Sequence, residues 1–138
     1  MILVDTNVVS ELMKQAPSPK VLSWFDLYDA MQLYISSITI AEIRYGIHAM
    51  PHGKKRRMLE IAFDNAISEA FKNRVLSFDE DAAHFYGIIM SQCKSLGHPL
   101  GILDGQIASI AAVHDLAIAT RNTKDFLHCK LELINPFL

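Results

Sequence analysis

MILVDTNVVSE, residues 1–11, runs four apolar residues straight into Asp5, Thr6 and Asn7. A short apolar run of this kind suits a central parallel strand covered on both faces. An acid at its end would then stand at the carboxyl edge of the sheet, where open α/β folds place their sites.

Four more runs look like strands: LYISSI at 33–38, VLSF at 75–78, AIAT at 117–120 and LELI at 131–134. Between them the apolar spacing is helical. DEDAAHFYGIIMSQCKSLG, residues 79–97, has acids at its start, Lys94 and Gly97 at its end, and an apolar stripe at 82, 85, 86, 89, 93 and 96. Further helices are expected at 7–13, 19–28, 40–50, 55–71 and 104–114, with PHG at 51–53 as a turn between two of them. Strands alternating with helices predict an α/β domain with a mainly parallel sheet flanked by helices.

The 138 residues fit one domain, residues 1–138, and half of them are apolar, as in ordinary globular proteins. A formal charge of −2 excludes a protein coated in cations, so any nucleic-acid binding has to come from a local patch. Cys93 and Cys129 lie far apart with no ligand-like spacing, which gives no support to a disulfide scaffold or a zinc ribbon. No stretch approaches the about 20 apolar residues of a membrane helix, and no leader-like segment opens the chain, so a cytoplasmic protein is expected.

Acids recur just past strand ends or at helix starts: Asp5, Glu42 in TIAEIRYG and Asp104 in ILDGQIAS, with the polar segment RNTKDF (121–126) following AIAT. Converging carboxylates repel unless a cation sits among them. Oxygen donors with no Cys or His nearby favour Mg²⁺ or Mn²⁺, ions that activate water in phosphodiester cleavage. Each acid also has a structural reading. Thr39 and Glu42 form the pattern of a capping box, and Asp5 and Asp104 could each cap a helix. A phosphatase using Asp5 as nucleophile is disfavoured, because VDTN lacks a second aspartate two residues on.

VDTNVVSE, SSITIAEIRYG, LDGQIASIAAVHDLAIATRNTKDF and the closing INPF, in that order, resemble the PIN-domain toxins of bacterial VapBC-type toxin-antitoxin pairs, including the Fit-type branch. The resemblance runs from end to end. It implies a PIN-like, Rossmann-like three-layer sandwich and a Mg²⁺-dependent endoribonuclease, with RNA as substrate and tRNA among the candidates. It also implies a homodimer silenced by a cognate antitoxin. Carried over by position, Asp5, Asp104 and Glu42 are the metal ligands, with Thr6 and Thr120 as neighbouring hydroxyls. Some relatives carry an acid directly after TR, where this chain has Asn122. Asp125, three residues on, could replace it if the segment turns helically. A PIN-fold module that binds nucleic acid or antitoxin without cutting is the alternative.

Other features suggest partners. GKKRR at 53–57 places cations at a helix start, where the macrodipole favours anions; it reads either as an RNA patch or as a solvated face paired with Glu60 and Asp64. Trp24 and Phe25, with Leu22, Leu27 and Tyr28, form a helix apolar on more than one face, able to bury one side and offer the other to a partner, which the family resemblance implies is an antitoxin segment. Phe71, Phe78, Phe85 and Tyr86 are expected in the core, and the six histidines at the surface or in structural roles. Arg44 and Arg121 either touch a ligand or form salt bridges.

Overall fold

The computed structural model describes residues 1–138. Its strands are β1 (Ile2–Val4), β2 (Leu33–Ser36), β3 (Val75–Leu76), β4 (Ala117–Ala119) and β5 (Leu133–Ile134). Its helices are α1 (Thr6–Leu12), α2 (Pro19–Asp26), α3 (Ser37–His48), α4 (Lys54–Asn65), α5 (Glu80–Ser95) and α6 (Ile102–Val113). All strand pairs are parallel, in the order β3-β2-β1-β4-β5. The expected α/β architecture is therefore the one found.

Two apolar clusters lie on opposite faces of this sheet, because side chains alternate along each strand. Ile2, Val4, Leu33, Ile35, Ala117 and Ala119 pack with residues of α1 to α4, including Val8, Trp24, Ile43 and Phe63. Leu3 and Ile118 point the other way, into a cluster with Ala82, Ile89 and Cys93 of α5 and Ile107 and Ala111 of α6. β1 is thus covered on both sides, which explains its unbroken apolar sequence.

Cap residues set the helix starts. Asp79 accepts a 3.0 Å bond from the Ala82 amide at the head of α5, whose end is closed by Gly97 at φ +79 and by a 2.9 Å bond from the His98 amide to the Cys93 carbonyl. The LYISSI run divides differently from expectation. β2 stops at Ser36, which caps α3 by accepting from the Thr39 amide at 3.0 Å, so the helix begins at Ser37 rather than at residue 40. α4 also ends early, at Asn65, and gives way to a π turn over Ala66–Ala70.

The chain runs outward from β1 to β2 and β3, then returns to place β4 on the other side of β1. That reversal makes a crevice between the carboxyl ends of β1 and β4. No helix is long and apolar enough to cross a membrane.

Candidate active site

Val4 lies in register with Ala119, so the residues that follow them, Asp5 and Thr120, emerge side by side. The Asp5 amide completes the ladder with a 2.9 Å bond to the Ala119 carbonyl. Its carboxylate is 5% exposed and is held on both oxygens. Oδ1 accepts from the Thr6 amide at 2.8 Å, capping α1, and Oδ2 accepts from Thr120 Oγ1 at 2.7 Å and Asn7 Nδ2 at 3.3 Å. Capping explains one oxygen only; the other is bound across the crevice.

Glu42 reaches the same edge from the second turn of α3. Thr6 Oγ1 donates to Glu42 Oε1 at 2.8 Å and lies 3.0 Å from Thr39 Oγ1, which in turn is 3.3 Å from Ser36 Oγ. The capping-box reading of Thr39 and Glu42 is overturned. The cap is Ser36, and Thr39 is a fully buried helical residue beneath Thr6.

Asp104 is not a cap either. α6 starts from Gly101, which leaves Asp104 in the first turn with its carboxyl free to face the crevice acids. RNTKDF does turn helically, as a single 3-10 turn over Thr123–Phe126, with the Asp125 amide 3.0 Å from the Asn122 carbonyl. Asn122 contributes its backbone, donating from its amide to Thr120 Oγ1 at 3.1 Å.

Electrostatics tie the four acids together. Burial first, then the charges of Asp5, Asp125 and Glu42, push the Asp104 carboxyl up to about 6. Burial also raises Asp5, opposed by the bonds from Thr120 and Thr6 and reinforced by the charge of Asp125. None of these four acids joins an ion pair. The ion pairs that do form lie elsewhere: Lys14–Glu11 at 2.6 Å, Arg44–Asp64 at 2.5 Å, Arg56–Glu60 at 3.3 Å and Arg121–Glu11 at 3.8 Å.

An uncompensated, partly buried set of oxygen donors suits a hard divalent cation. No three Asp, Glu, His or Cys side chains close on a metal position unaided. The donors at the crevice are oxygens without Cys or His, a set that suits Mg²⁺ or Mn²⁺ rather than a structural zinc site.

Sequence reasoning missed Asn7, whose side chain spans both strand ends. It donates to Asp5 Oδ2 and, at 3.2 Å, to Thr120 Oγ1, and its own Oδ1 accepts from the Arg121 amide at 3.0 Å. It also missed Ser36 and Thr39. Asn7 had a signal, a polar residue two places past a strand-end acid. A buried helical threonine such as Thr39 had none.

The remaining candidates settle into structural places. Arg44 lies over the Phe63 ring at 4.8 Å, and Arg121 over Phe137 at 3.8 Å. His48 and His52 both stand against Arg56, and His98 stacks on His128 with ring centres 4.0 Å apart. Phe71 is buried as expected, but Phe85 is 40% exposed on α5. Burial and its neighbour Cys93 push the Cys129 thiol up to about 12, so it stays neutral within the core.

Comparison with known proteins agrees with this geometry. The PIN domain family matches residues 2–130. VapC ribonuclease Y4jK of Sinorhizobium fredii is 43% identical, over 99% of this chain and 98% of its own length. Toxin FitB of Neisseria gonorrhoeae is 38% identical, over 99% of each chain. The structure of FitAB bound to an IR36 DNA fragment superposes with a TM-score of 0.94 at 37% identity, over 100% of this chain and 96% of the other. The family match, the sequence identity and the superposition all extend over nearly the whole length, and the chain belongs to the PIN domain family.

Proposed function

We propose that this protein is the toxin of a type II toxin-antitoxin pair, a Mg²⁺-dependent endoribonuclease that hydrolyses RNA phosphodiester bonds until a cognate antitoxin silences it. The observation that carries this reading is the set of four carboxylates, Asp5, Glu42, Asp104 and Asp125, gathered at one crevice without a cationic partner. The similarity to a chain named a ribonuclease and another named a toxin supports it.

In this reading Asp5, Asp104 and Glu42 hold the cation, Mg²⁺ or Mn²⁺, and Asp125 adds negative charge from the turn after β4. When bound, such an ion supplies an activated water and neutralises charge on the scissile phosphate. The chain's own task is to fix the donors. Thr120, Asn7 and the Thr6 amide lock Asp5, while the Thr6 hydroxyl aims Glu42. Orientation by such neighbours is worth about 10–100-fold in affinity or activity.

Two apolar surfaces support the partner reading. An apolar hollow of about 280 Å³ between α1, α2 and β2, lined by Val9, Leu12, Phe25, Tyr28, Leu33 and Phe71, suits an antitoxin side chain. Phe85 and Ile88 on α5, Leu96 at its C-cap, and Ile102 and Leu103 at the start of α6 are exposed and suit a homodimer contact.

The test incubates the protein, free of partners, with total tRNA and a panel of structured RNAs in Mg²⁺, Mn²⁺ or EDTA, beside Asp5→Asn. Discrete metal-dependent products absent from the mutant are expected. Intact RNA in every lane from folded, metal-loaded protein would favour the module that binds without cutting.

A further inference from the structure

A second open space begins where the acid site ends. Thr6 and Glu42 also line a groove of about 1010 Å³ that runs between α1, α3 and α4. Its walls follow from sequence spacing. α3 presents Glu42, Ile43, Gly46 and Ile47, with Met50 just past its end, and α4 presents Lys54, Lys55, Met58 and Leu59. Both are i, i+1, i+4, i+5 stripes, so each helix offers one continuous face to the groove. Ser10 of α1, with Met13 and Lys14 just past its end, completes it.

Three observations bear on what this groove holds. Of the four cations in GKKRR, only Lys54 and Lys55 line it; Arg56 is folded away onto Glu60, the Met50 carbonyl at 3.3 Å and His48 at 2.9 Å. Lys54 and Lys55 are exposed and take part in no ion pair, although the helix start they occupy repels cations. Gly46 stands mid-helix on the groove wall, and a side chain there would meet nothing within 4 Å, so its absence keeps the channel wide. An uncovered apolar floor with cations on its rim fits a polyanion that carries flat apolar groups.

We infer that this groove is the track along which single-stranded RNA leaves the acid site, its phosphates on Lys54 and Lys55 and its bases over the methionine-lined floor. The inference rests on the ribonuclease reading, since a strand cleaved at Asp5 must continue across the surface and the groove shares Thr6 and Glu42 with the acid site. Charge chooses RNA over a cationic peptide. An acidic peptide shares the charge, and the experiment separates it from RNA.

The experiment compares wild type, the double variant Lys54→Ala/Lys55→Ala and Gly46→Leu on two substrates: a dinucleoside monophosphate too short to reach the lysines, and a long single-stranded RNA. Gly46→Leu adds a side chain into open space on a helix, so it folds, and thermal melts check both variants. The short substrate is expected to turn over within about twofold of wild type. The long RNA is expected to lose about tenfold or more in kcat/KM with either variant, and for the double variant the salt slope is expected to fall by about 1.4.

Unchanged cleavage of long RNA by both variants overturns the track. If that result comes with lost affinity for a Glu-rich amphipathic peptide, the groove belongs to a protein partner instead. If wild type cleaves neither substrate, the nuclease reading fails on its own. The track is then judged by anisotropy of the same long RNA: weaker binding by both variants upholds it, and equal binding overturns it.

Discussion

Thr120 Oγ1 stands 2.7 Å from Asp5 Oδ2 and donates to it across 115 positions of sequence. This bond joins the carboxyl ends of β1 and β4 and lowers an acid that burial raises. Thr120→Val keeps the shape and deletes the donor. Activity is expected to fall about 10–100-fold. The Asp5 carboxyl rises further, so the acid limb of the pH–rate profile moves to higher pH. A profile superposable on wild type would exclude this role for Thr120.

Asp104 gives a stability prediction with a definite sign. Its carboxyl stands at about 6 in the folded protein against an ordinary 3.8. Between those values the folded state binds more protons than the unfolded one, so stability falls as pH rises through this window. In EDTA at pH 7, Asp104→Asn is therefore expected to melt above wild type, with the gain shrinking toward pH 4. Differential scanning calorimetry at both pH values checks it; a lower Tm for the variant at pH 7 would refute the strain.

A divalent cation should relieve the same repulsion. Saturating Mg²⁺ or Mn²⁺, at about 100 times Kd, is expected to stabilise wild type by about 2.7 kcal/mol. Asp5→Asn and Glu42→Gln should show much smaller shifts while keeping the wild-type circular dichroism spectrum. Equal shifts for wild type and Asp5→Asn would place the ion elsewhere.

Asn122 and Asp125 separate cleanly. Only the backbone of Asn122 is bonded in the crevice, whereas the charge of Asp125 acts on both Asp5 and Asp104. Asn122→Ala is expected to stay within about twofold of wild type in metal affinity, and Asp125→Ala to lose about tenfold or more. Isothermal titration with Mn²⁺ distinguishes them, and the reverse order would make Asn122 the ligand.

The sheet was legible in the sequence because a strand buried on both faces has to be apolar throughout, as Ile2–Val4 is. An acid directly after such a run is conspicuous for the same reason. The boundary at Ser36 and Ser37 was obscure, since either serine can cap a helix and only the bond to the Thr39 amide decides. The hydroxyl contacts among Ser36, Thr39 and Thr6 depend on how α1 and α3 sit on the sheet, which local pattern does not encode. The groove was hidden similarly. The stripes on α3 and α4 look like ordinary amphipathic faces until the turn at 51–53 folds them toward a common space.

The order β3-β2-β1-β4-β5 also governs when the acid crevice can form during synthesis. A ribosome delivers Asp5 among the first residues, yet its partner Thr120 arrives only with the last strands. Until Ala117–Ala119 emerge and pair with Ile2–Val4, one side of β1 has no neighbour and the crevice has a single wall. A chain still being translated therefore lacks the completed crevice, and one that stops short of Thr120 never closes it.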